Sequence, residues 1–430
     1  MDQEVRISAT GFLPHERAIL RASANDDDNR RWRSQAEFWA DQSGRVDVTS
    51  MESRGGTYRG VSPMGLFWSM RLEDGHANGR TTFAKTGASP NQVSLEIEIG
   101  GQIVATAQLV RNFLAAGTQT RDLTIGGDSQ GPSNLNGCHV GRLFLPPGRG
   151  LHPVVIILSG TGGGFDLDKA AALSRHGFAT LALAYFGIPP LPTWLHRIPL
   201  DYFEAALAWL AAQPEVDIQR IGVLGVSRGA ELALLLGTKF PQIRAIVAYA
   251  PSSVAWAAGG RDKTTGEIIP SWTWRGEPVP FAPLPLRGFM LRSAIPVAIA
   301  RRPVIFRNLF RAGLGNREAI ARATIPVEKI HGPIMLISGG DDHLWPAAQM
   351  CKAILARLTE HHFPYAVEYL NYPRAGHMLR YPHLPTTSRQ SRNRHLGNAR
   401  FSFGGTPAAD GEANADSWRR AIAFLHSSLG

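Results

Sequence analysis

Residues 221–231, Ile-Gly-Val-Leu-Gly-Val-Ser-Arg-Gly-Ala-Glu, constrain the fold of this chain more than any other stretch. An apolar run ends at Gly225, Ser227 follows between glycines, and a leucine- and alanine-rich helical pattern starts at Ala230. Strand, one sharp turn, helix is the setting of a nucleophile elbow. The serine of such a turn holds a strained backbone conformation, and its glycine neighbours are there because a Cβ on either flank would collide with adjoining elements. Its hydroxyl stands at the carboxyl edge of a sheet, beside a helix N-terminus that favours developing negative charge. In a chain with 45 glycines a bare G-x-S-x-G is a weak signal. Partner residues must decide between a nucleophile and a tight structural turn.

The sequence around the elbow reads as repeated βα units. Residues 153–158 form a continuous branched-aliphatic run, as a strand buried on both faces requires. Further strands are expected at 179–184, 221–224, 243–249, 332–338 and 365–370, with helices at 168–176, 201–213 and 415–429. This alternation predicts a mostly parallel, doubly wound sheet covered on both faces. With an elbow in its middle, the arrangement that fits is the α/β hydrolase.

A serine nucleophile needs a base, a carboxylate that orients the base, and backbone donors for an oxyanion. In this fold they follow in the order Ser, Asp or Glu, His. The carboxylate falls in 338–346, Ser-Gly-Gly-Asp-Asp-His-Leu-Trp-Pro, directly after a buried strand. The Gly339-x-x-Asp342-x-x-x-Pro346 spacing favours Asp342, and leaves Asp341 as a solvated or turn-capping carboxylate. The base is His377, after a glycine on the loop that follows the last strand. His331, His343, His361 and His362 lack that placement and read as surface or loop residues. The oxyanion donors are expected at the Arg228 N–H and in the loop 159–165, at Thr161 or, second, Gly162. No Gly-Lys-Ser/Thr follows that loop, which excludes a nucleotide P-loop.

The stretch 252–329 is too long for a simple connection and predicts a cap-like insertion. Within it, 298–311 interleaves apolar residues with arginines. An amphipathic element over the site, an anion-gripping patch and transient membrane contact all fit that pattern. The N-terminal half reads differently. Short alternating segments at 5–10, 18–23, 33–39, 45–49, 92–98 and 102–109 predict a small antiparallel, immunoglobulin-like β-sandwich. Residues 55–70 read as a loop running into a short apolar strand that packs on the second domain or borders the substrate mouth. The division is expected at the polar, glycine-rich crossing 124–137, giving domains 1–132 and 133–430.

Composition narrows function less. The net charge of +10 is mostly arginine, without a dense basic helix or nucleic-acid motif, so no nucleic-acid partner is expected. No apolar run is long enough to span a bilayer, so stable membrane insertion is not expected. Two cysteines, Cys138 and Cys351, make no disulfide framework and carry no metal-ligand spacing. With an acidic start and no apolar leader, the expectation is a cytoplasmic protein without metal or cofactor.

These blocks together resemble the acyl-CoA thioesterase and bile acid-CoA:amino acid N-acyltransferase (BAAT) family across nearly the whole chain. The resemblance is carried by residues 55–70, the 159–164 loop Ser-Gly-Thr-Gly-Gly-Gly, the elbow 225–231, Asp341-Asp342-His343-Leu344-Trp345 and Ala375-Gly376-His377. It implies a catalytic triad of Ser227, Asp342 and His377 acting on an acyl-CoA or another acyl thioester, free or carrier-protein bound. In relatives that transfer acyl groups to an amino acid the nucleophile is cysteine, so Ser227 favours hydrolysis. Transfer to an amine or alcohol, carboxylester cleavage, and a binding protein that has lost catalysis are the alternatives. Arg228 after the nucleophile and the long insertion before Gly332 depart from the animal members, and the arginine-rich composition points to a bacterial one.

Overall fold

The computed structural model describes residues 1–73, 82–125, 138–300, 302–393 and 399–430. An eight-stranded sheet carries the C-terminal half. Its strand order is Val367–Tyr372, Ile334–Gly339, Ile243–Tyr249, Val216–Val226, His152–Leu158, Ala179–Leu183, Cys138–Leu145, Gln119–Ile125. Neighbours are parallel as far as Ala179–Leu183, and the last two strands add as an antiparallel edge. This is an α/β-hydrolase sheet, with the elbow strand near its centre.

Alternation within strands shows why both faces are covered. Val154, Ile156 and Leu158 belong to one apolar cluster, with Val223 and Ile246 beside them. Val155 and Ile157 point into another, with Leu224 and Val247. The second cluster continues into the N-terminal domain through Trp32, Phe38 and Phe67, and into the C-terminal helix through Trp418 and Leu425. That domain is an antiparallel sheet in the order Gly55–Gly56, Arg31–Trp39, Arg17–Asn25, Asn91–Ile99, Gln102–Arg111, with Arg71–Leu72 on Arg31–Trp39. A two-stranded ribbon, Ser8–Thr10 with Arg45–Asp47, accompanies it.

The expected division at 132/133 lies outside the described residues. Strand Gln119–Ile125, N-terminal to that point, pairs with Cys138–Leu145 in the eight-stranded sheet. The short apolar strand expected within 55–70 is a one-turn helix, Gly65–Trp68. Burial was legible in its apolar side chains. A strand also needs a paired edge, and here the N–H groups of Phe67 and Ser69 bond back to Met64 and Gly65 instead. This turn packs on the C-terminal half: a Cβ at Gly411 would lie 3.0 Å from the Trp68 ring, and the Trp68 carbonyl accepts the Thr386 N–H.

The C-terminal helix begins earlier than its pattern suggests, at Pro407–Leu429. Thr406 caps it by accepting the Ala409 N–H, and Pro407 occupies the position where a missing donor is harmless. The insertion 252–329 holds two small antiparallel pairings and several helices, including Arg307–Leu314 and Arg317–Ala323. Its strand Trp272–Trp274 also pairs with Ile198–Pro199, which fastens the insertion to the body of the hydrolase domain. Arg301, within the arginine-rich stretch, lies outside the described residues. No helix among the described residues is long and apolar enough to cross a membrane.

Candidate active site

Ser227 stands between strand Val216–Val226 and helix Arg228–Lys239 with φ 57° and ψ −118°. This conformation is disfavoured for any residue bearing a Cβ. The turn is held by the Ser227 N–H bond to the Tyr249 carbonyl, 2.8 Å, and by the Ser227 carbonyl, which accepts the Ala230 and Glu231 N–H groups. The flanking glycines are required by contact. A Cβ at Gly225 would lie 2.1 Å from the Gly229 oxygen, and one at Gly229 would lie 2.4 Å from the Ser159 oxygen. Strand end, helix start and the 159–165 loop therefore meet backbone to backbone.

That loop passes directly beside the serine, since a Cβ on Gly160 would be 3.4 Å from the Ser227 Cβ. It is closed by internal bonds: Gly163 N–H to the Gly160 carbonyl, Ser159 Oγ to the Gly164 carbonyl, and Gly164 N–H to the Phe186 carbonyl. Tyr185 donates its hydroxyl to the Ser159 carbonyl at 2.6 Å. The exposed Thr161 and Gly162 at its crest have N–H groups bonded to nothing among the described residues. The Arg228 N–H, in the first turn of its helix, is likewise unbonded.

Two strands away, the loop after Ile334–Gly339 carries both acid candidates, and the structure separates their tasks. Asp342 is buried, and its Oδ2 lies 2.6 Å from His377 Nδ1. Its other oxygen accepts the Leu344 and Trp345 N–H groups. Asp341 faces away to His343 Nε2 at 3.0 Å and accepts the Gly405 N–H. His331, His361 and His362 are exposed and lie outside this group. His377 follows strand Val367–Tyr372, and its N–H bonds to the Phe403 carbonyl. Trp345 stands edge-on to the His377 ring, 6.0 Å between centroids, and gives its indole N–H to the Ala250 carbonyl. Tyr249 and Ala250 thus receive bonds from the serine turn and the acid loop respectively, which locks both to one strand end.

Side chains to which the sequence assigned no role surround these residues. Asp410, buried in the first turn of the C-terminal helix, accepts the Gly376 N–H at 2.7 Å and so steadies the histidine loop. Burial pushes its carboxyl up to about 7; the Gly376 N–H opposes the shift, and Asp341 and Asp342 add to it. The Arg228 side chain, buried, reaches away from the elbow to Glu231 at 2.8 Å, to the Trp256 carbonyl and to Ser271 Oγ. Glu231 also accepts from the Trp272 indole at 2.7 Å and the Trp256 N–H. Burial lifts the Glu231 carboxyl to about 7 against the pull of Arg228. Trp256, Ser271 and Trp272 all belong to the insertion, so this ion pair ties the insertion to the elbow helix. Aromatic contacts do the same on the other side, from Trp256 to Phe310, Phe310 to Trp345, and Trp345 to His377. The only signal for this network was the Arg-x-x-Glu spacing on a helix, which usually marks a solvated pair.

The comparisons with known proteins agree along the chain. The family described as "Acyl-CoA thioester hydrolase/BAAT N-terminal region" matches residues 2–125, and "BAAT / Acyl-CoA thioester hydrolase C terminal" matches 198–430. Rat acyl-coenzyme A thioesterase 1 is 30% identical over 100% of this chain and 94% of its own length. The mouse peroxisomal succinyl-coenzyme A thioesterase is 29% identical with the same coverage. Mouse mitochondrial acyl-coenzyme A thioesterase 2 is 30% identical over 100% of this chain and 87% of its own. Among solved structures, a Mycobacterium tuberculosis puromycin-hydrolysing peptidase aligns with 99% of this chain and 55% of its own, at 15% identity and a TM-score of 0.44. With both halves matched in order and relatives aligned end to end, the chain belongs to the BAAT/acyl-CoA thioester hydrolase family and is an enzyme of the α/β-hydrolase fold.

Proposed function

We propose that this enzyme hydrolyses acyl thioesters, acyl-CoA foremost, through an acyl-enzyme formed on Ser227. The observation that carries the reading is the buried 2.6 Å Asp342–His377 bond at the same sheet edge as a serine held at φ 57°. In this scheme Ser227 Oγ attacks the thioester carbonyl while His377 Nε2 takes its proton. Asp342 fixes the tautomer with the proton on Nδ1 and stabilises the imidazolium. The N–H groups of Arg228 and of Thr161 or Gly162, unbonded among the described residues, are the donors to the developing oxyanion. The C–S bond breaks, the leaving thiolate takes the proton from the His377 imidazolium, and the neutral His377 then draws a proton from water, which attacks the ester; that proton passes to Ser227 Oγ as free acid is released.

A serine acyl-enzyme is an oxyester, which suits attack by activated water better than transfer to an amine. Cys351 offers no alternative nucleophile, because it is buried behind the acid loop and burial pushes its thiol up. Relatives named as peroxisomal and mitochondrial show a family spread over compartments, so membership does not fix the cytoplasmic placement expected from the sequence. The test is thiol release from a panel of acyl-CoA and carrier-protein thioesters, with Ser227→Ala alongside and with amino-acid acceptors added. Release abolished in the variant, giving free acid, supports the proposal. Cleavage of aryl esters alone, or an acyl conjugate as product, would replace it with an esterase or a transferase.

A further inference from the structure

Residues 286–299 form one continuous helix within the insertion, with a π-helical segment, Met290–Ala294, in its middle. Its inner side is accounted for: Phe289 and Ala294 are buried with Val304 and Leu309. Its outer side is not. Arg287, Leu291, Ile295 and Ile299 recur at four-residue spacing and all face solvent, Leu291 61%, Ile295 42% and Ile299 79% exposed. Arg292 lies in the adjoining row, also exposed. Single exposed aliphatics are ordinary, but three in one row of one helix form a face.

The charge along this stretch of chain has one sign. From Pro278 to Arg317 the sequence contains no Asp or Glu. Arg287, Arg292, Arg302 and Arg311 are exposed and make no ion pair among the described residues. A helix with bulky aliphatics on its solvent side, flanked by unneutralised arginines, has the make-up of an element that lies in a membrane interface. A second copy of this chain is disfavoured as the occupant, because pairing the face with itself would set arginines against arginines.

We infer that this helix docks the enzyme on an anionic lipid bilayer, with Leu291, Ile295 and Ile299 entering the acyl boundary and the arginines meeting the headgroups. The inference concerns where the enzyme sits and stands apart from the reaction assigned to Ser227. The face is nonetheless connected to the site. Phe289 contacts Phe306, Phe306 contacts Phe401 and Phe401 contacts Phe403, whose carbonyl accepts the His377 N–H. Docking here would set the insertion against the compartment where long acyl chains partition.

The test is co-sedimentation of the full chain with vesicles of phosphatidylcholine alone and of an equal mixture with phosphatidylglycerol. Wild type is expected to bind the mixed vesicles at least ~10-fold more tightly than the neutral ones and to be released by salt. Arg287→Ala and Arg292→Ala should each weaken binding about fivefold at low salt. The combined Leu291→Ser, Ile295→Ser, Ile299→Ser variant should lose about 10²-fold even if its side chains insert only partly. Thermal melts and turnover of a short, water-soluble acyl thioester confirm that each variant is folded, independently of binding. No binding to mixed vesicles, or binding indifferent to the three serines, would overturn the inference. So would a wild-type dimer or a complex with an acidic protein, in place of vesicle binding, that the serine variant dissolves.

Discussion

Replacing Ser227 by glycine and, separately, by alanine isolates the backbone strain at the elbow from the chemistry of its hydroxyl. A Cβ-bearing residue at φ 57°, ψ −118° is destabilised by about 1–3 kcal/mol. Alanine removes the hydroxyl and keeps the Cβ, so it keeps that cost; glycine removes both. At an unstrained position glycine is the less stable of the two by about 0.5–1 kcal/mol, through the entropy of the unfolded chain. At position 227 relief of strain outweighs that entropy, so Ser227→Gly should exceed Ser227→Ala in stability by about 1 kcal/mol. With an unfolding entropy of about 2.1 cal/mol/K per residue over 430 residues, the gain is a rise of about 1 °C in the thermal midpoint. Replicate scanning calorimetry at one scan rate resolves this difference, with thiol release measured on the same samples. Both variants should be inactive. A glycine variant that melts below the alanine variant would refute the reasoning, because it would mean that the surrounding structure imposes no strain on the serine.

Further outcomes follow from the same geometry. Asp342→Asn should lower kcat about 10³–10⁴-fold by favouring the wrong tautomer of His377, whereas Asp341→Asn, which weakens contacts to His343, Gly405 and Arg307 but none to His377, should leave most of the activity; steady-state kinetics on both variants decide the matter. Arg228→Met leaves Glu231 buried without its partner and should cost about 3–5 kcal/mol, while the double variant Arg228→Met, Glu231→Leu should recover much of it. Additive losses in a urea-unfolding cycle would sink the idea that the pair acts as a unit. Asp410 has a folded-state value raised to about 7 from 3.8, so its stabilising contribution is full below pH 4 and lost as pH rises to about 7, at most about 4 kcal/mol in all. Asp410→Asn keeps an acceptor for the Gly376 N–H and should flatten the fall in melting temperature between pH 5 and pH 8; an unchanged fall would show that other groups cause it.

What could be read from sequence was whatever depends on local pattern. The continuous aliphatic run 153–158 and the mostly apolar run 243–249, broken only by Arg244, mark buried strands, and they are strands in the structure. The loops carrying Ser227 and Asp342 each follow a buried apolar run, and the loop carrying His377 follows the half-buried edge strand Val367–Tyr372. Features that depend on distant packing were not legible. The turn at Gly65–Trp68 has the composition of a strand, but its N–H groups bond back within the turn rather than across to another strand. The opening of the C-terminal helix carries Asp410, which bonds Gly376, and Gly411, a poor helix former whose missing Cβ admits Trp68. Likewise, nothing local distinguishes Arg228 and Glu231 from a surface pair. Their burial is set by Trp256 and Trp272, which arrive from the insertion.

The contact between Trp68 and Gly411 bears on how such a gene can be cut and joined. Thr386 bonds the Trp68 carbonyl and also the Pro407 carbonyl, at the very start of the helix whose Asp410 holds the histidine loop. A hydrolase half expressed alone would therefore lose more than a neighbour. It would expose the apolar surface beneath Phe67 and Trp68, and it would free the helix end on which the position of His377 depends. Exchange of N-terminal domains between relatives should accordingly succeed only when the partner surface at 386–411 travels with them. The sheet domain is in this sense a brace for the histidine loop.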